Sequence, residues 1–141
     1  MFEIKHNDLG FELKMSATLE NIDLADDFFA DYLIKNDIST NHFSLRILLR
    51  ESMLNAVTHG SDTDPDLIVN MEVQVSSDEI KLAVKDPGEG FPWQDKKPHF
   101  EVFEESGRGL ALMHMYSDAI NYNEKGNQVV ITKKLQIIGE K

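Results

Sequence analysis

Apolar residues recur at helical spacing from Arg46 to Gly60, in the run RILLRESMLNAVTHG. There Ile47, Leu48, Leu49, Met53, Leu54, Ala56 and Val57 predict a helix with one broad buried face. Upstream, Phe2 and Ile4 alternate with polar residues, as do Phe11, Leu13 and Met15 beyond Asn7-Asp8-Leu9-Gly10, which predicts a hairpin. Ile22, Leu24, Phe28, Phe29, Tyr32 and Leu33 predict a helix over about 20–36, capped by Thr18 or Asn21. Ser39 and Thr40 are the expected caps of the long helix. Pro65, in a turn cluster over 61–66, bars its continuation. Val69 to Val75 and Ile80 to Val84 alternate on either side of Ser76-Ser77-Asp78, a second hairpin. Helical spacing returns at Gly107 with Leu110, Leu112, Met113 and Tyr116, and strands at 119–122 and 129–135 follow.

Between Pro87 and Ser106 no period survives, and the stretch holds three prolines and Lys96-Lys97. A segment of about 20 residues without regular structure inside a small domain reads as a functional loop or lid, set here at about 87–106. The whole order predicts one domain over 1–141, an α/β (α+β) two-layer sandwich. One mostly antiparallel mixed sheet is covered on one face by about three helices.

Composition narrows the chemistry. The chain has 141 residues, 41% hydrophobic and 28% charged, an ordinary globular balance. No cysteine is present, so disulfides and thiol chemistry are excluded and metal ligands are limited to His, Asp and Glu. His6, His42, His99 and His114 share no ligand spacing, so no zinc site is expected. A net charge of −11 argues against a nucleic-acid backbone and suits a basic protein partner. No apolar run approaches the ~20 residues of a membrane span and no basic-then-apolar leader opens the chain, so a cytoplasmic location without membrane contact is expected.

Three features carry candidate chemistry. Glu51, Asn55 and His59 stand at i, i+4 and i+8 on one stripe of the long helix. Asp86-Pro87-Gly88-Glu89-Gly90 ends a strand, and Gly107-Arg108-Gly109-Leu110 opens a helix. Each has a plain reading alone: a solvated stripe, a turn, a loosened helix entrance. Together they describe a nucleotide site. An Asp at a strand end accepts a hydrogen bond from an exocyclic amine, and glycines let a flat base approach the backbone. Free amides at a helix start bind phosphate oxygens, and Arg108 beside them adds a charge-assisted bond. The Asn55 oxygen suits Mg²⁺ shared with phosphates, and Glu51 one turn away can take a proton from an attacking hydroxyl.

These motifs resemble the N box and the two glycine boxes of the gyrase–chaperone–histidine-kinase ATPase superfamily, whose nucleotide fold is the Bergerat fold. Within it, the small size, the run ESGRGLALMHMYSD and the closing hairpin ending Thr132-Lys133-Lys134-Leu135 resemble the bacterial anti-sigma factor serine/threonine kinases. The resemblance spans about residues 18–136 and includes His59-Gly60. It implies ATP or ADP bound with Mg²⁺ between the long helix and the lid. It also implies phosphorylation of a serine or threonine on a small STAS-like antagonist protein, sequestration of a sigma factor, and a homodimer. By position, Glu51 would be the catalytic base, Asn55 the Mg²⁺ ligand and Asp86 the adenine reader. Gly88 and Gly90 would line the base pocket, while Gly107, Arg108, Gly109 and Leu110 would hold phosphate. Contacts from Lys96, Lys97, His99 or Trp93 would come from the lid. No dimerisation helix with a phosphoacceptor histidine precedes the ATP region, so histidine autophosphorylation is not expected. A nucleotide-gated binding module without kinase activity is the rival reading, and a chaperone- or gyrase-type ATPase fragment a weaker third.

Overall fold

The structure, a computed structural model, describes residues 1–90 and 105–136. Its elements run β1 (Phe2–His6), β2 (Gly10–Ser16), α1 (Leu19–Lys35), α2 (His42–Thr58), β3 (Ile68–Val75) and β4 (Glu79–Lys85). Then come α3 (Glu105–Tyr116), β5 (Ala119–Tyr122) and β6 (Gln128–Lys134). The strands form one sheet in the order β1-β2-β3-β4-β6-β5, and all five pairings are antiparallel. The β5–β6 hairpin therefore docks with its second strand against β4, in the register Lys85↔Gln128.

Period-two alternation divides the sheet. Phe11, Leu13 and Met15, Val69, Met71 and Val73, and Ile80, Leu82 and Val84 turn one face inward. Against it lie Ala25, Phe29 and Leu33 of α1 and Leu45, Leu48, Leu49 and Met53 of α2. Each of the larger side chains removed from water, Phe29 and the leucines and methionine among them, is worth roughly 1.5–3 kcal/mol. The opposite face carries Glu12, Lys14, Asn70, Glu72, Lys81 and Lys85 and meets solvent. This is the expected two-layer arrangement, three helices over one face of an antiparallel sheet.

Local expectations were mostly met, with corrections. Thr18 is the N-cap of α1, its hydroxyl accepting from Asn21 N–H at 3.2 Å. The cap of α2 is Asn41, whose side chain accepts from Ser44 N–H at 2.9 Å, rather than Ser39 or Thr40. Ser39 instead offers its carbonyl to Gln136 N–H, so that residue ties down the end of the chain after β6. Phe29 is buried, and Phe28 and Tyr32 pack edge-on to Phe11 with ring centroids 4.9 and 4.8 Å away. Met113 is core, but Met115 is 58% exposed, because two residues of helix rotate it to the far side of α3. Helix α3 begins at Glu105, not Gly107, which takes the last two residues of the expected lid into regular structure. The lid's 91–104, with Trp93, Lys96, Lys97 and His99, lies outside the described residues.

One ion cluster joins α1 to α2. Asp26, only 5% exposed, accepts from Arg46 Nε at 2.9 Å and Arg46 Nη2 at 3.0 Å, and from Arg50 Nη1 at 3.1 Å. Arg50 also reaches Asp23 at 2.9 Å. Burial pushes the Asp26 carboxyl up, but the bonds and charges of Arg46 and then Arg50 outweigh it and hold the group below the usual carboxylate range.

Candidate functional site

Helix α2 presents Glu51 and Asn55 not to solvent but to the seam it forms with α3. Both side chains are half-buried there, whereas His59, at the C-cap, is exposed. A Cβ added at Gly109 of α3 would stand 2.8 Å from Glu51 Oε2, so the carboxylate lies directly against the glycine backbone. One turn on, Asn55 Nδ2 leans toward Met113 Sδ at 3.8 Å. Gly109 is buried and Leu110 beside it is half-buried. Gly107 and Arg108 lie in the first turn of α3, and the Arg108 side chain is outside the described residues.

The end of α2 carries the site toward the sheet. The Asn55 carbonyl accepts from His59 N–H at 2.9 Å and Gly60 N–H at 3.1 Å, which closes the helix with Gly60 one residue beyond its cap. Gly60 packs on the Asp86 carboxylate so tightly that a Cβ would overlap it. Only glycine permits that approach. Next to it Ser61 is buried, and its Oγ has no hydrogen-bond partner among the described residues. The chain then turns through Asp62 (φ 50°) and Thr63 (φ 52°), left-handed positions that β-branched residues rarely adopt.

Asp86 follows the last residue of β4 and is fixed on several sides. Its N–H donates to the Asn127 carbonyl at 3.0 Å, continuing the β4–β6 ladder by one step. Its carbonyl accepts from Asn127 Nδ2 at 3.1 Å. Its Oδ1 accepts from Gly88 N–H at 2.8 Å. Burial raises the carboxyl above the usual range, while the Gly88 N–H and the charge of Lys125 pull it part of the way back. Gly90 holds φ +86° with its Cα against the Lys125 carbonyl, where no side chain has room. The segment Asp86 to Gly90 thus lies between the exit of α2 and the β5–β6 turn.

Comparison with known proteins decides the family. The Histidine kinase-like ATPase domain matches residues 15–133. The chain belongs to the histidine kinase-like ATPase domain family. An ATPase domain of this family has ATP or ADP as its ligand class. Anti-sigma F factor of Geobacillus stearothermophilus is 28% identical over 122 residues, covering 82% of this chain and 84% of that protein. Anti-sigma F factor of Geobacillus kaustophilus is 27% identical over 132 residues, covering 87% and 90%. Among solved structures, the histidine kinase domain of a blue-light activated histidine kinase from Erythrobacter litoralis gives a TM-score of 0.48 at 17% identity. That likeness covers 68% of this chain and 44% of the other.

In this histidine kinase-like ATPase domain, the geometry brings together Glu51 with Gly109, and Asp86 with Gly88 and Gly60. Gly90 belongs to the same rim through Lys125. Sequence reasoning passed over Asn123, Lys125 and Asn127, which read as an ordinary connector. Their part in the site depends on β6 pairing with β4, and no local pattern announces that pairing.

Proposed function

We propose that the chain is an Mg²⁺-dependent protein serine/threonine kinase that uses ATP, phosphorylates a small antagonist protein and sequesters a sigma factor. The observation that carries this is the half-buried Glu51 carboxylate against Gly109 in the first turns of α3, four residues from Asn55. A module that only binds nucleotide needs no carboxylate facing the start of that helix. The shared name of the relatives, anti-sigma F factor, supports the sigma-factor part, and it was the resemblance of the motifs that suggested the antagonist.

The base pocket lies between Gly60, Asp86, Gly88 and Gly90, with Asp86 Oδ2 accepting the exocyclic amine of adenine because Oδ1 is engaged by Gly88. Phosphates would lie against the first turns of α3, beside Gly107, Arg108, Gly109 and Leu110, with the free amides of its opening turn and the Arg108 guanidinium as donors. The Asn55 amide oxygen is the hard donor that Mg²⁺ prefers, and the ion would neutralise charge on the β- and γ-phosphates when bound. In the transfer step the substrate hydroxyl oxygen bonds to the γ-phosphorus and its bond to the bridging oxygen breaks. ADP leaves and the hydroxyl proton passes to Glu51. Orientation and charge neutralisation supply most of the acceleration.

A homodimer is part of the same reading. Edge strand β1 pairs with β2 alone among the described residues. An antiparallel copy centred on Ile4 would set each Glu3 opposite a Lys5 of the other chain. Sedimentation of Ile4→Pro should then give a monomer, and an unchanged dimer would exclude this edge.

The primary test is Mg-ATP calorimetry on wild type, Asp86→Ala and Glu51→Ala, with phosphate transfer to a purified antagonist followed in parallel. Asp86→Ala should lose binding, and Glu51→Ala should bind within about twofold of wild type yet lose about 10²-fold or more in transfer. No binding by wild type would end the nucleotide reading. Binding without transfer to any antagonist would leave a nucleotide-gated binding module.

A further inference from the structure

We infer that the β5–β6 turn, residues 123–127, is a specificity wall of the base pocket, with Asn127 and Asn123 as positioning residues that aim Asp86 at the exocyclic amine. The inference rests on the adenine reading above and names what sets its selectivity. Asp86 is gripped at both backbone groups by a single residue: Asn127 takes its N–H at 3.0 Å and gives Nδ2 to its carbonyl at 3.1 Å. Asn127 is in turn 8% exposed and held by Asn123, whose Nδ2 donates to Asn127 Oδ1 at 2.7 Å.

Asn123 also organises the turn itself. Its Oδ1 accepts from Gly126 N–H at 2.7 Å, Asn127 N–H at 3.0 Å and Gln128 N–H at 3.2 Å. Gly126 supplies the left-handed step, at φ 82°. The same turn brings the Lys125 carbonyl against Gly90 and the Lys125 charge toward Asp86. The Asp86 backbone is therefore held by this turn, while its carboxylate meets Gly88 N–H and the Gly60 backbone. A half-buried polar network of this kind favours one geometry over others. A carboxylate that must meet one amine needs placement within a few tenths of an ångström, and this network is built to provide it.

Asn127→Asp keeps size but removes the Nδ2 donor, and Asn123→Ala removes the anchor of the turn. Dissociation constants are measured for ATP and for purine riboside triphosphate, which lacks the 6-amino group, on wild type and both variants. Wild type should prefer ATP by about tenfold or more, as expected for one hydrogen bond to a charged group. In the variants the ATP constant should weaken by about tenfold and the analogue's by less than about twofold, so that the preference disappears. Equal losses for both nucleotides would show general damage and overturn the inference, as would an unchanged preference. If wild type binds both equally, the adenine reading of Asp86 fails and this inference with it. If either variant does not fold, the other decides the matter by the same comparison.

Discussion

Gly109 shows how one missing methyl group separates binding from chemistry. Alanine there would put its Cβ 2.8 Å from Glu51 Oε2, closer than carbon and oxygen can rest. The atom in the way is the far end of a flexible side chain, so the carboxylate moves and the helix gains propensity of about 0.5–1 kcal/mol. Gly109→Ala should therefore keep its fold and bind ATP within about threefold of wild type, yet transfer phosphate about tenfold more slowly. Unimpaired transfer, measured with a purified antagonist, would remove Glu51 from the reaction. A second expectation concerns pH. In the proposed reading ionised Asp86 binds the amine of adenine, and that carboxyl titrates above the usual range because it is buried. ATP affinity should fall as pH drops toward this raised value, by about tenfold per unit once below it, while Asp86→Asn should lack that component. Calorimetry on both proteins, carried from neutral pH down through the raised value, separates it from the nucleotide's own titration, and parallel profiles over that whole range would refute it. The candidates Glu51 with Asn55, and Asp86 with Gly88, could be picked out at this scale because each pair lies within one short local spacing. Gly60 gained its reason only from the carboxylate it touches.

Between elements, the α1–α2 joint depends on a buried charge more than on extra apolar area. Asp26 is nearly inaccessible and accepts three guanidinium hydrogen bonds, while Arg46 and Arg50 keep access to water. Removing the acid leaves two hydrated arginines and a small void, so Asp26→Ala should cost about 2 kcal/mol by chemical denaturation. Its pH dependence has a definite sign. The folded carboxyl lies below its unfolded value, so this stability is fully present above the unfolded value. It is lost as pH falls through that value toward the depressed folded one. Wild type should thus lose its advantage over Asp26→Ala at low pH, and a gap that persists below the folded value would contradict the assignment. The apolar periods of α1, β3 and β4 were readable because each buries one face. The partnership of Asp26 with Arg46 and Arg50 was not, since it links residues 20 and 24 positions apart on separate helices. The cap of α2 slipped for a related reason: Ser39, Thr40 and Asn41 are all competent caps by residue type, and local sequence does not choose Asn41 among them.

Across the whole molecule the excess of acid is the property most open to a solution test. Aspartate and glutamate number 25 against 14 lysine and arginine, for a net charge of −11. Glu20, Asp23, Asp27 and Asp31 fall on one exposed stripe of α1. Asp23 and Asp31 are partly balanced by Arg50 and Lys35, so the field comes from the sum of the surface rather than from one cluster. Such a field concentrates a basic partner near the protein before any contact forms. Its range shrinks from about 14 Å at 0.05 M salt to about 4 Å at 0.5 M. If the sequestered protein presents a basic face, its association rate constant should fall about tenfold or more over that range while dissociation changes little. Stopped-flow or surface-based kinetics at three salt concentrations reads this directly. A flat association rate with a salt-sensitive dissociation rate would mean that contact pairs in the complex, and not the net charge, govern the encounter.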